Sequence, residues 1–156
     1  MSDRSGGIQL LIRRAFKFEL KPNGMQIQLM KQFCGCARYV YNRTLSLERS
    51  LYKKDNKHSF KYAEAANRLP EWKKKNPFLK ECHSQVLQQS LKDLEQAYIN
   101  FFRKRANFPK YKKKFQHDSI RFPQGVQLDE AKQQIRLPIS GTPVVVKHFR
   151  IKFFFS

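Results

Sequence analysis

The chain has 156 residues, of which 32 are Lys or Arg and 12 are Asp or Glu, so its formal net charge is +20 at pH 7. Self-repulsion of that size destabilises a compact monomer, which makes a polyanion such as nucleic acid the expected partner. The sequence has no run of about 18 apolar residues and no signal peptide, so we expect no membrane-spanning helix and a cytoplasmic, nucleoid-associated protein.

The composition favours a folded chain without a disulfide framework. Apolar residues make up 40% of the sequence, including 14 Phe and 6 Tyr, which is enough for one domain or for two small domains that share a core. Cys34, Cys36 and Cys82 are odd in number and fit no paired metal-binding spacing, and the four histidines are scattered. We therefore predict structural thiols, no metal site, no cofactor and no small-molecule substrate.

The first predicted element is a strand over residues 8–20. Phe16, Phe18 and Leu20 alternate with polar residues, so they share one face of a strand that is buried on one side. The segment 21–24 contains Pro and Gly and ends this pattern.

A helical block follows. Asn23 and Gln26 have the spacing of an N-cap and its capping-box partner, and apolar residues at three- and four-residue spacing predict a long helix over residues 25–54. A shorter helix is predicted over residues 60–69, where Pro70 should stop it.

The next stretch combines a connector with a third helix. Trp72 is expected to be a core anchor, and residues 73–77 are interpreted as a basic connector. Ser84 is the predicted N-cap of a helix that reaches about residue 105, with Leu87, Leu91, Leu94 and Tyr98 on its apolar face.

The segment 101–115 combines seven cations and no anion with aromatic rings. Cations attract phosphates, and exposed rings stack on unpaired bases, so this mixture is typical of proteins that bind single-stranded or structured nucleic acid. The alternative is a solvated, lysine-rich loop at the end of a helix, in which residues 103–105 complement the negative end of the helix dipole.

The chain then returns to strands. Short strands are predicted over residues 119–123, 126–128 and 134–138, with a hairpin turn at residues 129–132. Since strands flank the helices on both sides, the first strand can pair with the last ones. The predicted class is α+β, with three main helices inserted between strands of one sheet.

Five separated blocks occur in the order found in one known family: AFKFELKPN at 15–23, CARYVYN at 36–42, QVLQQSLKDL at 85–94, FF at 101–102 and FPKYKKK at 108–114. Over residues 13–138 the chain resembles the N-terminal part of the TnpB (OrfB) insertion-sequence proteins. These are transposon-encoded, RNA-guided DNA endonucleases related to type V CRISPR effectors.

The resemblance implies an architecture and partners. Residues 8–22 and 116–138 would belong to a wedge domain, a partial oligonucleotide-binding-like β-barrel. Residues 23–115 would form a helix-turn-helix-like recognition lobe that cradles guide RNA. The implied partners are guide-type RNA and transposon-end or target DNA, and no membrane.

The resemblance also implies where catalysis lies. The family cuts DNA with a later RuvC-like domain, whose carboxylates hold two metal ions, followed by a zinc-binding cysteine cluster. No acid lies beyond Glu130 here and the others show no paired geometry, so we expect no nuclease activity from this chain.

The chain departs from the family pattern at Ile139. Residues 139–156 are therefore interpreted as an atypical tail after a frameshift or truncation. The β-prone segments 144–146 and 153–155 can either supply a missing strand or form an unpaired, aggregation-prone edge.

The predicted nucleic-acid-binding residues are cations on the first strand, polar residues on the long helix, and the basic segments. For Tyr41 and Phe108, which could stack on bases, a core-facing role is the competing prediction, and Asn42 could read a base edge or bond within its helix. The full set is Arg13, Arg14, Lys17, Lys21, Arg38, Tyr41, Asn42, Lys73, Lys75, Arg103, Lys104, Arg105, Lys110, Tyr111, Lys112, Lys113, Lys114 and Arg121.

Two other functions remain open from the sequence. A complete small transposase or nuclease would need a nucleophile such as Tyr98 or His117, and neither has activating partners at a recognisable spacing. A degenerate fragment without a selected role would inherit the same charge, and an RNA-guided repressor is a variant of the binding hypothesis.

Overall fold

The computed structural model describes residues 15, 17–139 and 143–147. Helices and strands are both present, as the α+β prediction requires. The first strand, β1, spans Glu19–Lys21, so the described part of the predicted strand is short. Most of its predicted length, including Phe16, lies outside the described residues.

The long helix α1 spans Gly24–Lys54 and confirms the prediction from apolar spacing. Asn23 caps it: its side chain accepts a hydrogen bond from the backbone N–H of Gln26, and the Gln26 side chain accepts one from the backbone N–H of Asn23, each at 2.9 Å. This capping box satisfies two of the amide groups that a helix start leaves unpaired. The helix ends at Asp55, as predicted.

The short helices differ from the prediction. Helix α2 spans Tyr62–Asn67, and a new helix, α3, spans Leu69–Lys75, followed by a single 3-10 turn at Pro77–Leu79. Pro70 therefore starts a helix instead of only ending one, because a proline in the first turn needs no N–H partner. The predicted connector at residues 73–77 was wrong in its first half, which is helical. Trp72 is buried in the core, as expected.

Helix α4 spans Ser84–Phe102 and is shorter than predicted at its C-terminal end. The N-cap is His83, whose ring Nδ1 accepts a hydrogen bond from the backbone N–H of Gln85 at 3.3 Å, so the prediction of Ser84 was off by one residue. The last cations, residues 103–105, lie beyond the final turn instead of within it. They are thus part of the following segment.

The strands form one antiparallel sheet in the order β1-β4-β3-β2, where β2 is Gln127–Asp129, β3 is Gln134–Arg136 and β4 is Val144–Lys147. The β2–β3 hairpin confirms the prediction, and β1 pairs with β4 in the register Leu20 opposite Val146. Residues 119–123, predicted as a strand, form no strand. Their apolar side chains, Ile120 and Phe122, pack against the helical core instead.

Strand β4 decides between the two predictions for residues 144–146. It lies between β1 and β3, so this segment is paired on both sides and is not an exposed edge. Val144 and Val146 are buried while Val145 is exposed, the alternation of a strand with one covered face. The other β-prone segment, 153–155, lies outside the described residues.

The core lies between α1 and α4, with α2, α3 and the 3-10 turn packed against one end. Val40 on α1 and Leu87 and Leu91 on α4 are fully buried. The hydroxyl of Ser90 donates a 2.6 Å hydrogen bond to the carbonyl of Ala37, which ties the two helices together. In the described range, no helix has the length and apolar character needed to span a lipid bilayer.

Candidate nucleic-acid interface

The basic-aromatic segment, defined here as residues 103–114, follows α4 without forming a helix or strand. One side chain of α1 holds it: the amide of Asn42 donates to the carbonyl of Lys112 at 2.9 Å and accepts from its backbone N–H at 2.8 Å. One prediction was that the Asn42 side chain forms a hydrogen bond within its own helix. The structure shows instead that it bonds to the backbone of Lys112. Reading a base edge would require this pair of hydrogen bonds to break.

A second contact from α1 comes from Arg49, which is not among the residues predicted from the sequence to bind nucleic acid. Its guanidinium lies over two rings of the segment, 5.1 Å from the centroid of Phe108 and 4.9 Å from that of Tyr111. It also donates to the carbonyl of Pro109 at 3.4 Å. A guanidinium on aromatic faces gains a cation–π attraction, so Arg49 holds the segment in place.

Tyr41 and Lys112 form a third contact. The Lys112 ammonium lies 4.5 Å from the centroid of the Tyr41 ring, and Tyr41 is buried in the core. Burial, with a smaller contribution from Asp93, raises the pKa of the Tyr41 phenol. The core-facing prediction for Tyr41 is confirmed. Phe108 packs on Phe101 and still leaves 37% of its surface exposed, so it is only partly core-facing.

These contacts leave most cations of the segment free. Within residues 103–114, all of which the structure describes, six cationic side chains are exposed and form no ion pair; we call them the six free cations. They are Arg103, Lys104, Arg105, Lys110, Lys113 and Lys114. A fixed backbone that presents unneutralised cations is suited to a phosphate backbone.

Several predicted residues are engaged in ion pairs instead. Arg38 pairs with Asp118 at 2.8 Å, and Arg121 lies 3.4 Å from Asp93. Lys75 pairs with its neighbour on α3, and Lys73 donates to a serine hydroxyl, so neither is unpartnered. Lys21 is exposed on β1 and Lys17 is exposed before it, whereas Arg13 and Arg14 lie outside the described residues.

Six of the described carboxylates pair with cations. Where the structure gives an ion pair, the partner is Lys, Arg or His, as for Glu48, which lies 2.6 Å from His58 and 3.2 Å from Arg68. Within the described ranges, no group of three or more His, Cys, Asp or Glu side chains is placed to hold a metal ion. The paired acids are Glu48, Glu64, Glu71, Asp93, Asp118 and Asp129.

Tyr98, one of the two nucleophiles considered, has a high pKa. Its ring stacks on Phe60 with centroids 5.6 Å apart. Burial raises the pKa of its phenol to about 12, and the nearby Glu48 carboxylate adds to this. A higher pKa makes the phenolate scarcer at neutral pH, so the environment of Tyr98 opposes a nucleophilic role.

We predict that Tyr98→Phe removes one late-titrating phenol. Because the pKa is raised above its unfolded value of about 10, the protonated phenol stabilises the fold below about pH 10, and this contribution is lost as the pH rises towards about 12. Absorbance at 295 nm, followed against pH, should show a phenol near pH 12 in the original chain that is missing in the variant. The same late titration in both proteins would contradict this assignment.

We also predict that Asn42→Leu frees the basic-aromatic segment. The change removes two hydrogen bonds, each contributing about 0.5–1.5 kcal/mol, so trypsin should cut after residues 112–114 about tenfold faster. Gln28→Leu, an exposed amide on the same helix, is the matched control and should leave the rate unchanged. Equal cleavage rates in all three proteins would mean that Asn42 does not hold the segment.

One family model matches the N-terminal part of the chain. Residues 12–57 match a family model described as "Helix-turn-helix domain", that of OrfB proteins of the IS605 type. In the described part of this range the structure has β1 followed by one continuous helix, α1.

Two relatives match over most of the chain. The chain is 48% identical over 130 residues, 82% of its length, to an Escherichia coli K12 protein named "Putative RNA-guided DNA endonuclease InsQ". It is 39% identical over 104 residues, 65% of its length, to a Streptomyces pristinaespiralis protein named "Putative RNA-guided DNA endonuclease". These matches cover 32% and 25% of the two relatives, so the chain spans about a third of their length or less. The family match and both relatives show that the chain belongs to the TnpB (OrfB) family of insertion-sequence proteins.

Proposed function

We propose that this chain is a nucleic-acid-binding module that grips guide-type RNA, or transposon-end or target DNA, and does not cut it. One observation carries the proposal: the six free cations sit on a segment that Asn42 and Arg49 fix against α1. A segment held in place loses less conformational entropy on binding than a free lysine tail does.

The names of the relatives support the choice of partner. Both are named for RNA-guided action on DNA, which requires contact with both polymers. Because the phosphate backbone is common to RNA and DNA, the cations described here suit either one. A preference for RNA or for DNA depends on side chains that contact the bases or the 2′-hydroxyl of RNA.

The absence of cutting is the second part of the proposal. Two-metal nucleases need carboxylates that converge on the ions, whereas six of the described carboxylates are already paired with a Lys, Arg or His side chain. In this proposal, cleavage by the longer relatives depends on parts of those proteins that the chain does not match.

In this proposal, the helices and the sheet have different roles. Residues 23–115, which contain the helices, act as a recognition lobe, and residues 8–22 and 116–138, which contain β1, β2 and β3, act as the wedge. Residues 139–156 differ from the family pattern, although β4 is built into the sheet. The module works in the cytoplasm, close to the nucleoid.

Binding at several salt concentrations tests the proposal. The 156-residue chain is mixed with fluorescein-labelled single-stranded RNA, single-stranded DNA or duplex DNA between about 50 and 200 mM salt. We expect the logarithm of the association constant to fall linearly with the logarithm of salt, with a slope of about −4 on single strands if all six free cations contact phosphates. No binding to any of the three at the lowest salt would refute the proposal.

Two further measurements separate the alternatives. Incubation with Mg²⁺, copurified RNA and end-labelled DNA should give no cleavage above a buffer control, and cleavage would contradict the second part of the proposal. Sequencing the RNA that copurifies at low and high salt should enrich one transcript that persists at high salt. A mixed population that is lost at high salt would indicate polyelectrolyte attraction alone.

A further inference from the structure

A cleft of about 630 Å³ lies beside the basic-aromatic segment and was not predicted from the sequence. Its walls come from the C-terminal half of α1, residues 58 and 60 of the segment after it, the C-terminal end of α4, and residues 108 and 111. The volume is within the range of about 300–1,000 Å³ that is typical of sites for small ligands. Seven Phe and Tyr side chains are part of its lining: Tyr52, Phe60, Tyr98, Phe101, Phe102, Phe108 and Tyr111.

The rings of the cleft hold one another in place. Tyr98 stacks on Phe102 with centroids 6.4 Å apart, and Phe101 meets Phe108 edge to face at 5.1 Å. Two rings nevertheless stay open to solvent: Tyr52 is 52% exposed and Phe102 is 63% exposed. Large exposed rings at the rim of an apolar cleft are unusual for a surface that has no partner.

Positive charge surrounds the cleft and favours an anionic partner. Arg49 and Lys53 line it, Arg103 follows Phe102 directly, and Lys110 precedes Tyr111. The carboxylate in the lining, that of Glu48, is buried and bonded to His58 and Arg68. A partner with both negative charge and flat aromatic rings can pair with the cations and stack on the side chains of the cleft. A purely apolar protein surface would leave these cations without an opposite charge.

We propose that this cleft receives an unpaired base of a single-stranded segment, which stacks on Tyr52 or Phe102 while the neighbouring cations contact the flanking phosphates. The inference rests on the proposed nucleic-acid function and narrows it to single strands at this place. Bases in a duplex are already stacked inside the helix, so they cannot enter the cleft.

A double variant tests the cleft without changing charge. In Tyr52→Ala/Phe102→Ala the net charge stays at +20, so the electrostatic part of binding is retained. The affinity for a 12-nucleotide single-stranded RNA of mixed sequence should fall about tenfold, as expected for the loss of stacking on a base. The affinity for a duplex of the same length and the slope against salt should stay unchanged.

A matched control and an independent readout complete the test. Phe78→Ala removes a ring that is 42% exposed and lies outside both the cleft and the basic-aromatic segment, and it should leave single-strand affinity unchanged. In the original chain, 5-iodouridine placed in the single strand should photo-crosslink to peptides containing Tyr52 or Phe102. Crosslinking does not depend on the variant folding correctly.

The outcomes separate this inference from the general function. If the chain binds RNA but the double variant binds the single strand equally well, or the crosslinks map away from the cleft, the cleft has no such role and the proposed function stands. If the original chain binds no nucleic acid, both fail. A change in oligomeric state caused by the double variant would mean that a second copy of the chain occupies the cleft, which also overturns the inference.

Discussion

Replacing the six free cations by glutamine will weaken binding to single-stranded RNA at least about 100-fold at 0.1 M salt. Each cation that neutralises a phosphate contributes about 0.7 to the salt slope on single strands, so the slope should lose about 4. The net charge falls from +20 by six to +14. Fluorescence anisotropy at several salt concentrations measures both quantities.

The control must carry the same charge. A second variant replaces six other exposed cations that form no ion pair among the described residues, and it also has a net charge of +14. These are Lys31, Lys54, Lys57, Lys74, Lys80 and Arg136. We expect this variant to keep most of its affinity, because its cations lie outside the basic-aromatic segment. Equal losses in the two variants would mean that net charge, and not a defined surface, governs binding.

The second large effect concerns the helix pair that carries the surface. Leu91 is fully buried in the core that α4 shares with α1, so Leu91→Ala should lower the free energy of unfolding by about 2–5 kcal/mol. That is a large part of the roughly 5–15 kcal/mol by which domains of this size are stable. Urea unfolding followed by circular dichroism measures the change in midpoint.

Leu128→Ala is the control for this effect. Leu128 is 41% exposed on β2, so its loss should change the free energy of unfolding by no more than about 0.5 kcal/mol. A small effect of Leu91→Ala, equal to that of Leu128→Ala, would be inconsistent with a core between α1 and α4. Binding by the Leu91 variant at low temperature should be retained wherever it remains folded.

Local sequence patterns predicted the long helices because apolar spacing and capping residues, which determine where a helix forms, lie close together in the sequence. Apolar spacing and the pair Asn23 and Gln26 foretold α1, including the capping box, since the residues that satisfy a helix start lie within one turn of it. The β2–β3 hairpin followed in the same way from a polar turn between two short apolar runs.

The predictions were wrong where the same local sequence is compatible with two structures. Pro70 can either end a helix or open the next one, and the chain uses it to open α3. Residues 119–123 have the composition of a strand, but Ile120 and Phe122 gain more by packing on the helical core than by pairing in a sheet. Burial outweighs intrinsic propensity at such short segments.

By itself, the sequence determined the charge, the helical block and the family, because composition, periodicity and ordered motifs are properties of the chain read in one dimension. Only the tertiary structure decided which polar groups are free. Asn42 meets Lys112 across 70 residues and Arg49 meets Pro109 across 60 residues, so these side chains position the segment, and its six free cations stay exposed without an ion pair. The physical reason is that a hydrogen bond or an ion pair depends on distances of about 3 Å in space, which separation along the chain does not reveal.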